Sequence, residues 1–232
     1  MTIKGLVFDK DGTLFDFEAI WSRWAYELLT DVFGPRAAEV GEALGFDLTS
    51  RRFAPTSPVI AETNDALSKI LMRFLPGWSQ EEVLERMREE VARTPMVTPV
   101  PLIPLLTELA ARGLQLGVAT NDDEISARRN LRAENAEDFF PFIAGYDSGF
   151  GGKPAPGQIL GFLKATGLAP SEVAMVGDSR HDLSAGRAAG VVTIGVLTGP
   201  ASAEDLQDLA DVVLPDIGHI PAWLDARKAT AA

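Results

Sequence analysis

The chain has 232 residues, 46% of them hydrophobic, which is enough for a packed core and too much for a disordered chain. Lys plus Arg total 21 and Asp plus Glu total 33, so the formal charge is −12; this disfavours nucleic acid and anionic lipid as partners and makes any anionic ligand depend on local cations or a metal. Cysteine is absent, which excludes disulfides, thiolate zinc sites and cysteine nucleophiles and fits a reducing, cytoplasmic setting.

The N-terminus, "MTIKGLVFDKDG", enters a strand-like run directly, so no signal peptide is expected. No apolar stretch approaches the ~20 residues that would span a bilayer. Runs 3–9, 114–121, 172–178, 191–199 and 211–216 are continuously apolar and end in polar or Gly-containing corners. Continuous rather than alternating hydrophobicity predicts strands buried on both faces, as in a parallel sheet. Helical segments over 104–113, 155–167 and 182–190 lie between them. This alternation predicts an α/β, doubly wound fold.

Residues 17–98 break the alternation. Segments 17–33, 57–75 and 79–93 carry helical periodicity, and no buried strand stands out among them. Ser79 and Glu82 form a capping-box pattern. "TPMVTPVPLIP" (94–104) reads as a connector, because proline resists both helix and central strand. The expected organisation is an α/β core, 1–16 and 99–232, with a helical insertion at 17–98. The tail "ARKATAA" is expected to fray.

Open α/β sheets place their sites beyond the carboxyl ends of the strands. Four polar clusters occur at such places. Asp9 and Asp11, with Gly12 behind them, suit a nucleophile and a proton carrier working on a phosphate, although "DKDG" is also a common turn composition. Thr120 and Asn121 offer a hydroxyl and an amide to phosphate oxygens, or a helix N-cap. Lys153, in the Gly/Pro frame "GGKPAPG", can neutralise developing charge, or is an ordinary surface lysine. In "VGDSRHD", Asp178 can complete a metal site. Asp182 can hold Asp178, a metal-bound water or Lys153; both also suit a helix N-terminus.

Taken together and in this order, "DKDGT", Thr120, Lys153 and "GDSRHD" resemble the motifs of the haloacid dehalogenase superfamily. The resemblance is to its phosphoglycolate-phosphatase-like branch with a type-one helical cap. It spans Met1 to about Asp216 and implies a Rossmann-like parallel sheet with the insertion as cap. It implies a Mg²⁺-dependent phosphatase acting on a small phosphorylated metabolite, with phosphoglycolate as the default, in a monomer or homodimer. Asp9 resembles the nucleophile and a metal ligand. Asp11 resembles the general acid/base, its backbone carbonyl also meeting the metal. Thr120, helped by the Asn121 backbone, resembles the phosphate-binding hydroxyl. Lys153 resembles the charge-stabilising lysine and Asp178 the acidic metal ligand, with Asp182 behind them.

The competing readings are a dehalogenase, which lacks the second Asp; a phosphomutase, which carries both; and a non-catalytic phospho-ligand sensor built on the same fold. A phosphonate hydrolase would want a lysine in the cap, where Lys69 reads as a surface residue. Arg51 and Arg52 are either substrate-reading or solvated. Trp21 and Trp24 read as packing residues, His181 as an exposed position at a helix start, and His219 has no evident partner. Cap closure is expected to hinge near 15–17 and 95–101.

Overall fold

The protein is described by a computed structural model covering residues 2–54, 56–60 and 62–231. The elements in chain order are β1 (Gly5–Phe8), α1 (Phe17–Leu28), α2 (Ala37–Leu44), β2 (Phe46–Asp47), β3 (Arg52–Phe53), α3 (Asn64–Met72) and α4 (Gln80–Arg93). They continue as α5 (Leu102–Ala111), β4 (Gln115–Ala119), α6 (Glu124–Ala133), β5 (Phe142–Ala144), α7 (Gly157–Thr166) and β6 (Val173–Gly177). α8 (Arg180–Ala189), β7 (Val192–Val196), α9 (Ala203–Leu206), β8 (Val212–Leu214) and α10 (Ile220–Ala231) complete the chain. Two compact units result: the chain up to Asp16 together with the chain from Thr98 onward, and Phe17–Val97.

The first unit is built on a six-stranded parallel sheet in the order β5-β4-β1-β6-β7-β8. The five apolar runs read from the sequence all become strands. β5, three residues long and preceded by Pro141, is too short to show as a run. Strand side chains alternate between faces, and here both faces are buried. On one, Val7, Ala119, Val173 and Met175 pack under Ile159 and Phe162 of α7 and Ala185 of α8. On the other, Phe8 meets Phe140 edge-on at 6.2 Å. α5 begins three residues inside the proline-rich connector. Pro104 is tolerated in its first turn, where the missing N–H would have no helical partner. The tail expected to fray is largely taken up by α10.

The second unit is mainly helical. Ser79 and Glu82 form the expected capping box at the start of α4. Trp24 is fully buried, donates its indole N–H to the Met87 carbonyl at 3.3 Å, and stands edge-on to Trp21 at 5.0 Å. Both tryptophans pack in the core of this unit, as the sequence suggested. The unit is not all-helical, because β2 and β3 form a small antiparallel hairpin. The Asp47 carboxylate accepts the backbone N–H groups of Thr49 and Ser50 at 2.8 and 2.7 Å and so turns the chain. Phe46 and Phe53 then meet across the pair at 4.8 Å. Arg51, at the turn with φ +56°, stacks on the Tyr26 ring at 3.8 Å. Lys69 is exposed and ion-paired to Asp65, a surface residue as read.

Candidate active site

Strand register brings three of the four motifs to one edge. Phe8 pairs with Val118 on one side and Val176 on the other. One residue beyond Phe8 is Asp9, and two residues beyond its partners are Thr120 and Asp178. The Asp9 N–H donates to the Val176 carbonyl at 2.8 Å, which holds the turn off β1 against β6.

Lys153 comes from the loop before α7, far away in sequence, and is buried at this edge. Its ammonium lies 2.6 Å from Asp9 Oδ1 and 2.6 Å from Asp182 Oδ1. Of the roles open to Asp182, holding Lys153 is therefore the one present. The other oxygen of Asp182 accepts the Ser179 N–H at 3.0 Å and the Ser179 hydroxyl at 2.6 Å, closing a capping box on α8. Asp178 accepts the Thr13 hydroxyl at 3.2 Å. Its carboxylate occupies a space that two glycines leave open. A Cβ at Gly12 (φ +81°) would lie 2.4 Å from this carboxylate, and one at Gly199 would lie 1.7 Å from its Oδ2. The Thr198 hydroxyl donates to the Gly12 carbonyl at 2.5 Å, joining the turn after β7 to the turn after β1.

Thr120 is buried and its hydroxyl oxygen accepts the Asp122 N–H at 3.0 Å. The Asn121 side chain is committed elsewhere. It donates to the Lys153 carbonyl at 3.0 Å and accepts the Lys153 N–H at 2.8 Å, so it frames the lysine's backbone. Neither residue caps α6; that cap is Asp123, whose carboxylate accepts the Ser126 N–H at 2.9 Å. Asp11 faces Lys10, which sequence reasoning left aside. The Lys10 ammonium lies 2.7 Å from Asp11 Oδ2 and 3.1 Å from Asp122 Oδ2. Thr198, Gly199 and Asp122 are neighbours of the site that sequence patterns do not mark, since each reads as ordinary loop composition; Lys10 and Thr13 lie inside "DKDGT", but the sequence alone gives them no role. His181 is half-buried in the first turn of α8 rather than exposed. His219 does have a partner, Asp216, at 3.0 Å.

The electrostatics follow from crowding three carboxylates in little water. Burial, reinforced by Asp182, pushes the Asp9 carboxyl up to about 7 against the opposing pull of Lys153. Burial likewise raises Asp178 well above the ordinary carboxylate range, with Asp182 and Asp9 adding to it. Burial would lower the Lys153 ammonium, but Asp182 and Asp9 outweigh it and hold it above its usual value. Asp9, Asp178 and Asp182 each bring an oxygen within 4.8 Å of the others. Three buried carboxylates around one ammonium leave a local excess of negative charge. All-oxygen donors with that excess fit a hard divalent cation.

A sequence model of haloacid dehalogenase-like hydrolases matches residues 6–196, most of the chain. The chain belongs to this hydrolase family. The phosphoglycolate phosphatase of Rhodospirillum rubrum is 31% identical to it over 238 residues, covering 95% of this chain and 90% of that protein. The phosphoglycolate phosphatase of Shigella boydii is 29% identical over 225 residues, covering 93% and 88%. Among solved structures, CbbY from Rhodobacter sphaeroides in complex with phosphate superposes with a TM-score of 0.71 at 18% identity, covering 94% of this chain and 96% of that one. The β-phosphoglucomutase of Clostridium difficile gives 0.69 at 17% identity, covering 98% and 100%. At these identities the two structures establish the shared fold of the hydrolase and nothing finer. Among the described residues, no helix is long and apolar enough to cross a membrane.

Proposed function

We propose that this hydrolase removes phosphate from a small phosphorylated metabolite through an aspartyl-phosphate on Asp9. The chain is a phosphoric monoester hydrolase, and phosphoglycolate is the substrate its curated relatives nominate. The observation that carries the mechanism is the Lys153 ammonium set 2.6 Å from Asp9 Oδ1 at the sheet's carboxyl edge. A carboxylate nucleophile beside a fixed cation can approach a phosphoryl group that it would otherwise repel.

In the first half-reaction an Asp9 oxygen bonds to phosphorus, the ester P–O bond breaks, and Asp11 gives its proton to the departing alcohol. In the second, Asp11 takes a proton from water as that water attacks the acyl-phosphate. This releases inorganic phosphate and restores the Asp9 carboxylate. Lys153 and Thr120 hold the phosphoryl oxygens throughout, with Asn121 fixing the backbone of Lys153. Asp9 and Asp178, with the Asp11 carbonyl, would hold Mg²⁺, which when bound offsets the charge on the phosphoryl oxygens. Asp182 acts on these groups through Lys153, whose ammonium its Oδ1 meets at 2.6 Å.

The test is phosphate release from a panel of phosphate monoesters, with and without Mg²⁺, for wild type and Asp9→Asn. Mg²⁺-dependent release that the variant loses supports the reading. Release that survives in Asp9→Asn rejects Asp9 as nucleophile. Conversion of a sugar phosphate to its isomer without net release would mark a mutase instead.

A further inference from the structure

Lysine is seldom fully buried, because its ammonium must find charge partners in exchange for water. Lys10 sits between the two aspartates of the first motif and yet has a side chain only 1% exposed. Its ammonium meets both oxygens of Asp11, at 2.9 Å for Oδ1 and 2.7 Å for Oδ2. On its other side lies Asp122 Oδ2 at 3.1 Å. Asp122 is itself held: its Oδ1 accepts the Asp123 N–H at 2.8 Å and its carbonyl accepts the Tyr146 N–H at 3.1 Å. Its own N–H reaches the Thr120 hydroxyl at 3.0 Å.

Net stability does not account for this arrangement. A buried ion cluster is usually matched or exceeded in stability by apolar groups of the same volume. What the cluster does supply is direction. A single ammonium on both oxygens sets the plane of the Asp11 carboxylate, and Asp122 ties that ammonium to the turn after β4. The proton-carrying side chain of one strand end and the phosphate-binding hydroxyl of the next are thus held in one frame. Proton transfer is sensitive to such placement at the scale of an ångström.

We propose that Lys10, anchored by Asp122, is a positioning residue that aims the Asp11 carboxylate at the leaving-group oxygen. This rests on the reading of Asp11 as the general acid. Its signature is leaving-group dependence. An alkyl phosphate needs its departing oxygen protonated, whereas p-nitrophenyl phosphate does not. The ratio kcat/KM covers the step in which that bond breaks.

The experiment compares kcat/KM for an alkyl phosphate and p-nitrophenyl phosphate in wild type, Lys10→Met, Asp122→Asn and Asp11→Asn. Asp11→Asn is expected to lose on the order of 100-fold or more on the alkyl ester and far less on the aryl ester. Lys10→Met is expected to show the same selectivity at about 10- to 100-fold, and Asp122→Asn a weaker form of it. If Asp11→Asn is selective while the other two lose equally on both esters, or lose nothing, the positioning role is overturned and the acid role stands. If Asp11→Asn is itself unselective, the acid role fails and the positioning role falls with it. Should Lys10→Met not fold, Asp122→Asn carries the decision alone, since it loosens the same ammonium from the far side.

Discussion

Lys153 Nζ lies 2.6 Å from Asp9 Oδ1, and both side chains are largely shut off from water. The contact opposes the protonation that burial favours at Asp9. Lys153→Met removes that restraint, so the Asp9 carboxyl is expected to rise above about 7. At neutral pH kcat should fall by at least ~100-fold, and the acid limb of the pH–rate profile should move to higher pH. A profile measured from pH 5 to 9 checks this. An unmoved limb would show that Lys153 serves the phosphate and not the nucleophile.

Asp9 also makes stability depend on pH. Its carboxyl titrates near 7 when folded, against an ordinary value of 3.8. Between those values the folded chain binds more protons than the unfolded one, so this group's contribution to stability declines as pH rises through that window. Asp9→Asn removes the dependence. With chelator present, the variant is expected to melt above wild type at pH 8, and the gap should narrow toward pH 4. Thermal melts at both pH values give the answer, and an equal gap would contradict the raised carboxyl.

Gly199 has no room for a methyl group, since its Cβ would lie 1.7 Å from Asp178 Oδ2. Gly199→Ala must displace that carboxylate from its place beside Gly12. Because the change falls in a turn outside the strands, the variant is expected to fold. The Mg²⁺ concentration for half-maximal turnover should rise about 10- to 100-fold. Titration of activity with Mg²⁺ measures it, and an unchanged midpoint would remove Asp178 from the metal site.

Chelation tests whether turnover depends on the ion. Turnover is expected to stop in EDTA and return with Mg²⁺. Mg²⁺ at ~100 times its dissociation constant should stabilise the folded protein by about 2.7 kcal/mol. Asp178→Asn should lose most of that Mg²⁺-dependent rise in melting temperature. A variant that keeps the whole rise would place the ion elsewhere.

Much of this protein is legible before folding. Strands buried on both faces must be apolar throughout, so β1, β4, β6, β7 and β8 announce themselves as runs that stop at polar corners. The elements that the sequence did not announce are the short β5, β2, β3 and α9, which hold too few residues for a period, and the helices α2, α6 and α10. The hairpin exists because Asp47 bonds the turn and two phenylalanines meet across it, neither of which is a periodic signal.

The amino-acid sequence by itself determined which chemical groups stand at the strand ends: two aspartates after β1, a threonine after β4, an aspartate after β6 and a lysine in a proline frame. Only the tertiary structure decided which carboxylate meets which ammonium. Lys153 bridges Asp9 and Asp182, while Lys10 turns inward to Asp11 and Asp122 and leaves Asp9 to the other cation. Lys10 and Asp11 are neighbours in the chain, but the other partners come from separate segments: Asp122 follows β4, Asp182 lies on α8 after β6, and Lys153 stands in the loop before α7. The parallel register of β1 with β4 and β6 brings the groups that follow those strands to one edge. A charged residue in a turn has no local preference between solvent and such a cluster. Its burial is settled by the charges that the fold places opposite it.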